Sequence, residues 1–149
     1  MSDPLMIRCA ICGATNRVPL EKLEQRRQPV CGRCKTALPA LDNKPVMVTD
    51  ATFLTEVDHW PLPVLLDLWA PWCGPCRMVA PVLEVLANEM AGRVRVAKVN
   101  VDENPATSSR FQVLSIPTLL VLKRGQEMER IVGVRPKDEI IRRLERVIS

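Results

Sequence analysis

The sequence is poor in aromatic side chains and nearly without histidine. Among its 149 residues there are no tyrosines, two phenylalanines, three tryptophans and one histidine, His59. Proteins that bind single-stranded nucleic acids without sequence preference stack the bases on aromatic side chains, so no nucleic-acid partner is expected. A hydrolase with a Cys-His pair would have to use His59, and nothing in the sequence places it beside a cysteine.

A long apolar run is also missing. No stretch approaches the roughly 18 uninterrupted apolar residues of a membrane-spanning helix. The first thirty residues are interrupted by Arg8, Lys22 and Arg26, which is not the pattern of an export signal. We therefore expect no membrane partner, and a reducing cytoplasmic location is the default.

Six cysteines are present, and all of them fall into Cys-x-x-Cys pairs. The pairs occupy positions 9 and 12, 31 and 34, and 73 and 76. Six cysteines could form three disulfides in a secreted protein. In a cytoplasmic protein, close pairs of this kind are typical of metal ligation or redox chemistry.

The first two pairs have the spacing of a zinc ribbon. Eighteen residues separate Cys12 from Cys31, which fits two Cys-x-x-Cys turns that share one metal ion. Gly13 and Gly32 are expected to permit the backbone angles of these turns. Four thiolates leave no open coordination position, so one structural Zn²⁺ per chain is predicted. The alternatives are two short disulfides or a second redox pair. The predicted ligands are Cys9, Cys12, Cys31 and Cys34.

The chain is predicted to consist of two parts. Residues 1–36 form the four-cysteine module, residues 37–45 form a linker, and residues 46–149 form an α/β domain. The run 63–69 is apolar on both faces, which is typical of a central strand covered by helices on each side. Apolar periodicity predicts strands near 46–48, 63–69, 94–101, 118–123 and 127–133, and helices near 51–58, 73–91, 104–110 and 136–148.

The third cysteine pair lies between the apolar strand and the longest predicted helix. Cys73 is expected at the helix N-terminus, where free N–H groups and the helix dipole stabilise a thiolate. Cys76, one turn later, is expected to be buried. This asymmetry predicts that Cys73 attacks a substrate disulfide and that Cys76 resolves the mixed disulfide. A metal half-site or an incidental pair is the alternative.

The run Asp67-Leu-Trp-Ala-Pro-Trp-Cys-Gly-Pro-Cys76 resembles the active-site signature of the thioredoxin family, and the likeness extends over about residues 46–149. With the four upstream cysteines, the chain is similar to the zinc-containing thioredoxin 2 family of bacteria. The resemblance implies an α/β thioredoxin fold, in which helices flank a central mixed sheet, and a small N-terminal zinc-ribbon-like module. It also implies a protein-disulfide reductase that a flavin- and NADPH-dependent thioredoxin reductase recharges, with no organic cofactor of its own.

Asp67 is a carboxylate inside an otherwise apolar strand, so burial is expected to raise its pKa toward neutrality. In the family, the matching Asp is implicated as the acid and base for the buried cysteine, here Cys76. Lys98, on a neighbouring predicted strand, resembles the lysine that accompanies this Asp. The alternative is an ion pair between Asp67 and Lys98 with a structural role only.

The run Ser115-Ile-Pro-Thr118 resembles the cis-proline loop that faces the active site in this family. Proline is the residue for which a cis peptide bond is accessible, and Ile116 would then have a backbone free to pair with an extended substrate. A trans proline at Pro117, and a plain turn at Gly133, are the alternatives. The predicted substrate-binding residues are Trp72, Gly74, Pro75, Ile116, Pro117 and Gly133.

Two functions from different classes fit these observations. The first is a general protein-disulfide reductase that acts on disulfide-bearing proteins. The second is a zinc-dependent, redox-sensing binding or holdase module in which the thioredoxin domain is a scaffold. An oxidase or isomerase is disfavoured by the Gly-Pro sequence between Cys73 and Cys76, and nothing in the sequence suggests more than a monomer.

Overall fold

The computed structural model describes residues 4–25, 27–38 and 43–148. The N-terminal part contains strands β1 (Leu5–Arg8) and β2 (Thr15–Val18), which pair antiparallel, and a short helix α1 (Leu20–Glu24). The sequence predicted only two cysteine turns here. Neither segment alternates apolar and polar residues in sequence, so the period-2 signal of a strand is absent from both.

The larger part is built on a five-stranded mixed sheet. In chain order its strands are β3 (Val46–Met47), β4 (Val64–Trp69), β5 (Arg95–Asn100), β6 (Thr118–Lys123) and β7 (Gln126–Val132). The spatial order is β3-β5-β4-β6-β7, with β4 parallel to β5 and antiparallel to β6. Each predicted strand is present, and its ends differ from the prediction by at most one residue.

Three helices of the larger part agree with the predictions. They are α2 (Gly74–Glu89), α3 (Pro105–Arg110) and α4 (Lys137–Ile148). Across the described ranges, no helix is long and apolar enough to cross a membrane.

The helix predicted near 51–58 is shorter and of another type. Only Leu54–Asp58 forms a helical turn, of π type, in which the His59 N–H donates to the Leu54 carbonyl. Asp50, the residue before the predicted helix, does not cap it, because its carboxylate accepts hydrogen bonds from the Ala106 and Thr107 N–H groups of α3.

Both faces of the sheet are buried, because alternate residues of β4 point to opposite sides. Leu65 packs on one face among side chains of α2 and α4, including Leu83 and Leu144. Leu66 packs on the other face in the cluster that contains Phe53 and Phe111. The predicted α/β architecture, a mixed sheet flanked by helices, is confirmed.

The two parts share a hydrophobic cluster. Leu62 of the larger part is buried in the core of the N-terminal part, and Trp60 packs against it. Leu62 precedes β4 and Cys73 follows it, so the two lie toward opposite ends of a six-residue strand about 20 Å long. The other members of the cluster are Leu5, Ile7, Cys9, Val18, Leu20, Cys31 and Leu38.

Leu38 belongs to this cluster although it falls in the predicted linker 37–45. Residues 39–42 of that linker lie outside the described residues. The boundaries at residues 36 and 46 therefore stay predictions.

Candidate redox and metal sites

Cys73 and Cys76 form a disulfide at the start of α2, with their Cα atoms 5.3 Å apart. Cys73 is the N-cap residue, and the Cys76 N–H donates to the Cys73 sulfur over 3.2 Å. Gly74 and Pro75 are the first two helical residues, where the missing N–H of proline leaves no intrahelical bond unmade. The helix N-terminus is therefore directed at the Cys73 sulfur.

Neither cysteine is exposed in the disulfide form. Cys73 is 3% exposed and Cys76 is 4% exposed, in a cluster completed by Ala70 and by partly buried neighbours that include Ile116. The sequence predicted burial for Cys76 alone; the disulfide holds both sulfurs within this cluster. Their surroundings still differ, because the Cys73 sulfur lies 3.8 Å from the Ile116 carbonyl oxygen, whereas Cys76 borders a cavity that opens to solvent.

The cavity beside Cys76 has a volume of about 100 Å³. Its lining includes Cys76, Arg77 and Lys98, and the Arg77 guanidinium donates to the Pro71 carbonyl at 3.0 Å. Most of the lining is apolar, with Arg77 and Lys98 as its charged residues, and a volume of this size exceeds that of one water molecule. The cavity thus lies between the inner cysteine of the pair and the lysine on β5.

Asp67 is buried on β4, directly opposite Lys98 on β5. It is 1% exposed, and its Oδ1 has no hydrogen-bond partner among the described residues. Burial raises the pKa of Asp67 to about 7, and the positive charge of Lys98 opposes that rise. The rise predicted from the sequence is confirmed. The Lys98 ammonium also lies 4.9 Å from the ring centroid of Trp69.

The loop before β6 lies beside Cys73. The Ile116–Pro117 peptide bond is cis, as the sequence predicted. The Pro117 carbonyl accepts a hydrogen bond of 2.9 Å from Gly133, whose φ of +86° is in the left-handed region that favours glycine. The structure therefore brings Gly133 to Pro117, and the residue before Pro117, Ile116, lies beside the Cys73 sulfur.

Trp72 projects from the segment before the disulfide and is 69% exposed. Its indole N–H donates to the Asp102 carboxylate at 2.9 Å, which fixes the ring. Asp102 was not among the predicted residues. Its position just beyond the carboxyl end of β5, the edge at which α/β sheets place functional groups, was the available signal.

The four cysteines of the N-terminal part converge. All four sulfurs lie within 4.8 Å of one another, with 3.6 Å between Cys9 and Cys34 and 3.6 Å between Cys12 and Cys31. Four sulfurs in a tetrahedron around Zn²⁺, each at about 2.3 Å, stand about 3.8 Å apart. None of the four is in a disulfide. The cluster therefore fits one zinc ion.

The two cysteine turns have the same backbone design. The Gly13 N–H donates to the Cys9 carbonyl, and the Lys35 N–H donates to the Cys31 carbonyl, at 3.0 and 2.9 Å. Gly13 has a φ of +77° and Lys35 a φ of +66°. The expectation for Gly32 was wrong, because the left-handed position falls four residues after the first cysteine of each turn.

Backbone N–H groups favour the thiolate form of the first cysteine in each turn. The pKa of Cys9 is lowered to about 7, and the largest cause is the hydrogen bond from the Cys12 N–H. The pKa of Cys31 is lowered to about 6, and the largest cause is the hydrogen bond from the Cys34 N–H. The Ala14 N–H lowers the pKa of Cys12, but burial and the neighbouring thiols outweigh it and raise the value to about 11. Thiolate is the form that ligates zinc.

Side chains outside the predicted ligand set also contact the sulfurs. The Thr36 hydroxyl lies 2.9 Å from the Cys34 sulfur, and the Asn16 amide donates to the Cys31 sulfur at 3.5 Å. Sequence spacing gives no signal for Asn16, which reaches the turn from β2.

Comparison with known proteins gives a match for each part of the chain. Residues 44–146 match the family described as Thioredoxin, and residues 8–36 match the one described as Thioredoxin 2, N-terminal, a zinc ribbon. A thioredoxin of Mycobacterium tuberculosis is 53% identical over 103 residues, which is 69% of this chain and 89% of the relative. Thioredoxin 1 of a Nostoc species is 50% identical over 99 residues, 66% of this chain and 92% of the relative. A thioredoxin of Haemophilus influenzae is 53% identical over 93 residues, 62% of this chain and 87% of the relative.

The chain therefore belongs to the thioredoxin family, whose members are oxidoreductases of disulfides. The N-terminal match adds the zinc ribbon of thioredoxin 2, so the resemblance stated from the sequence is confirmed over both parts of the chain. The ribbon match and the clustered cysteines together indicate zinc binding.

Proposed function

We propose that this chain reduces disulfides of protein substrates, with Cys73 as the attacking and Cys76 as the resolving cysteine. The observation that carries the proposal is the N-cap geometry. The Cys76 N–H already points at the Cys73 sulfur, so a thiolate at Cys73 meets a preformed donor and the positive end of α2.

The exchange conserves sulfur bonds and moves two electrons. The Cys73 thiolate forms a bond to one sulfur of the substrate disulfide, and the other substrate sulfur leaves as a thiolate. Cys76, as a thiolate, then attacks the Cys73 sulfur and releases the first substrate sulfur. The substrate is left as a dithiol, and the chain carries the Cys73–Cys76 disulfide.

Asp67 and Lys98 are proposed to serve the second step. Cys76 must lose its proton before it attacks. Because the pKa of Asp67 is about 7, its carboxylate form can accept a proton near neutral pH. The cavity that both Cys76 and Lys98 border offers a route through water. Lys98 acts as a positioning residue, because its charge opposes the rise in the pKa of Asp67.

Substrate contact is assigned to the surface around Cys73. Trp72 supplies an exposed aromatic face, and the Ile116 carbonyl beside the Cys73 sulfur can accept a hydrogen bond from an extended substrate backbone. Gly74 and Pro75 are exposed, and Gly133 keeps a conformation that leaves space around it. With Pro117 these residues form the proposed substrate-binding set.

The remaining features complete the proposal. One Zn²⁺ bound by the four clustered cysteines would be structural, because four sulfur ligands leave no open position for a substrate. No organic cofactor is required, since the two sulfurs hold both electrons. We propose a cytoplasmic monomer that a flavin- and NADPH-dependent thioredoxin reductase returns to the dithiol form.

The test is NADPH consumption with thioredoxin reductase and insulin, comparing the wild type with Cys73→Ser. We expect steady turnover by the wild type and a loss of about a thousandfold or more in the variant, because the nucleophile is removed. No reduction by the wild type would overturn the proposal. Suppression of aggregation that persists in Cys73→Ser, without any reductase activity, would favour the holdase.

A further inference from the structure

We propose that the N-terminal part carries a binding site for a small organic phosphate, that is, a phosphate group attached to an apolar or aromatic body. The site is the concavity that Arg17, Lys22 and Arg27 line. No cysteine is among the described residues that line it, so the site is distinct from the sulfur cluster and from the redox pair. It goes beyond the proposed reductase function and does not depend on it.

The concavity has a volume of about 280 Å³, near the lower end of the range for small-molecule sites. Its walls come from β2, from α1 with the residue before it, and from residues 27–32. Two hydrogen bonds fix these walls. The Gly32 N–H donates to the Asn16 side-chain oxygen at 2.9 Å, and the Gln28 amide donates to the Leu38 carbonyl at 2.8 Å. The concavity is therefore formed before a ligand binds, which lowers the cost of ordering it.

The charged side chains of the described lining are all positive. Arg17 comes from β2, Lys22 from α1 and Arg27 from the segment that follows. Among the side chains that the structure describes, no carboxylate forms an ion pair with any of the three. A cleft lined by charges of one sign raises the local concentration of the opposite ion. The expected ligand is therefore an anion.

The sulfur cluster nearby does not cancel this positive charge. Residues 1–36 contain seven Lys or Arg and three Asp or Glu, an excess of four positive charges. Four thiolates and one Zn²⁺ together carry a net charge of −2, which offsets half of that excess. The zinc-loaded ribbon therefore remains positive overall, and an anion is still attracted to it.

A phosphate group matches the lining better than a carboxylate does. A phosphate monoester carries about −1.5 to −2 at pH 7, whereas a carboxylate carries a single charge. The guanidinium of Arg17 or Arg27 can donate two parallel hydrogen bonds to phosphate oxygens. The same concavity also has an apolar side, because Pro19 and Val30 line it and Val30 is 54% exposed. A phosphate that carries an apolar body would contact both sides.

The experiment titrates the zinc-loaded full chain, labelled with nitrogen-15, with phenyl phosphate at low salt and follows the backbone amide signals by NMR. We expect saturable shifts at Val18 and Gly32 but not at Gly74 beside the redox pair, with a Kd below about 1 mM. Inorganic phosphate lacks the apolar body and should bind at least about threefold more weakly. Added salt should weaken the binding of both, because it screens the three cations.

Four variants separate the site from general effects. Arg17→Gln and Arg27→Gln should each weaken phenyl phosphate binding about tenfold, because each removes a charge-assisted contact. Val30→Ser should weaken phenyl phosphate about threefold and leave inorganic phosphate unchanged. Arg142→Gln is the matched control, since it removes the same charge from an exposed position on α4, and its affinity should stay within about twofold of the wild type. One zinc per chain in each variant shows that the ribbon is still folded.

The absence of saturable shifts up to about 10 mM phenyl phosphate, an unchanged affinity in both arginine variants, or an equal loss in Arg142→Gln would each overturn the site. Equal affinities for phenyl phosphate and inorganic phosphate would overturn the organic ligand. A short poly-aspartate peptide that shifts the same amides and binds more tightly than phenyl phosphate would overturn it in favour of an acidic protein partner. None of these measurements involves disulfide reduction, so their failure leaves the reductase proposal standing.

Discussion

The chain uses the Cys-x-x-Cys spacing in two ways. In the N-terminal part, Cys9 and Cys31 begin tight turns whose N–H groups point at sulfur, and two such turns bring four thiols within 4.8 Å. In the larger part, Cys73 precedes a helix of 16 residues and has one partner, Cys76, one turn away. In both places backbone N–H groups favour a sulfur anion. The two places differ in the number of sulfurs that lie close together, which is four in the N-terminal part and two in the larger part.

This difference teaches that the spacing alone does not determine the chemistry. Two facing turns supply four ligands and close a coordination shell, so the sulfurs are held by a metal. One pair on a helix has no second pair nearby, so its sulfurs can bond only to each other or to a sulfur of another molecule. Matched substitutions in the two regions can test this directly.

The largest expected effect comes from removing one cysteine in each region. Cys31→Ser should abolish the single bound zinc, because loss of a ligand removes much of the roughly 10 kcal/mol or more that zinc contributes to such modules. Its reductase activity should stay within about twofold of the wild type, because Cys31 and the redox pair lie toward opposite ends of β4. Zinc is measured with a colorimetric chelator after denaturation, and activity with insulin.

Cys76→Ser is the matched control for that experiment. It should keep one zinc per chain, lose turnover and accumulate a mixed disulfide with Cys73 that mass spectrometry detects. If either variant lost both zinc and reductase activity, the two regions would not be independent in the way the comparison requires.

A smaller effect sharpens the redox side of the comparison. The folded pKa of Asp67, about 7, lies above its ordinary value of 3.8 because burial disfavours the charge. The native state therefore holds this proton more tightly, so the contribution of Asp67 to stability is fully present below about pH 4 and is lost as the pH rises toward 7. The loss reaches about 4 kcal/mol above pH 7, as an upper bound.

Asp67→Asn cannot titrate at this position, so the part of the pH dependence that comes from Asp67 between pH 4 and pH 8 should be absent from its unfolding free energy. Relative to the wild type it should gain up to about 4 kcal/mol over that range, measured by urea unfolding at several pH values. Disulfide exchange should slow while Cys73 remains open to alkylation, because only the proton acceptor for Cys76 is removed. Parallel stability curves for the two proteins would contradict this account.

The smallest effect concerns the metal side. Lys35 has a φ of +66°, where a side chain costs about 1 kcal/mol, whereas the equivalent position in the first turn is Gly13. Lys35→Gly should stabilise the module by up to about 1 kcal/mol, which competition with a chelator would detect as about fivefold tighter zinc binding. Gly13→Ala is the matched reverse change and should weaken binding, since a Cβ there finds space but an unfavourable φ. Equal affinities in all three proteins would remove the conformational argument.

Much of the larger part could be predicted because its signals are local. The run that became β4 is apolar on both faces, and the pair at Cys73 stands between that strand and a long amphipathic stretch, so strand, site and helix follow from neighbouring residues. Asp67 was identifiable for the same reason, as a carboxylate in an apolar run. The spacing of four cysteines likewise indicated the metal cluster without knowledge of the fold.

The missed features depend on contacts between residues far apart in the chain. Trp72 meets Asp102 thirty residues later, and Asn16 reaches the Cys31 sulfur from another strand. The left-handed conformation of Lys35 was missed because lysine carries no signal for it, whereas a glycine at the same position would have done so. Leu62 appeared to be an ordinary loop residue, since nothing local shows that it packs against β1 and β2.

The position of Leu62 has a consequence for engineering. A fragment that ends after the second cysteine turn would carry the metal ligands. It would expose to water the apolar surface that Leu62 and Trp60 cover in the full chain. Such a fragment should tend to aggregate. A ribbon grafted onto a different protein would need an apolar surface on that protein to pack against. The ribbon therefore depends on residues of the larger part for its packing and is not an independent module.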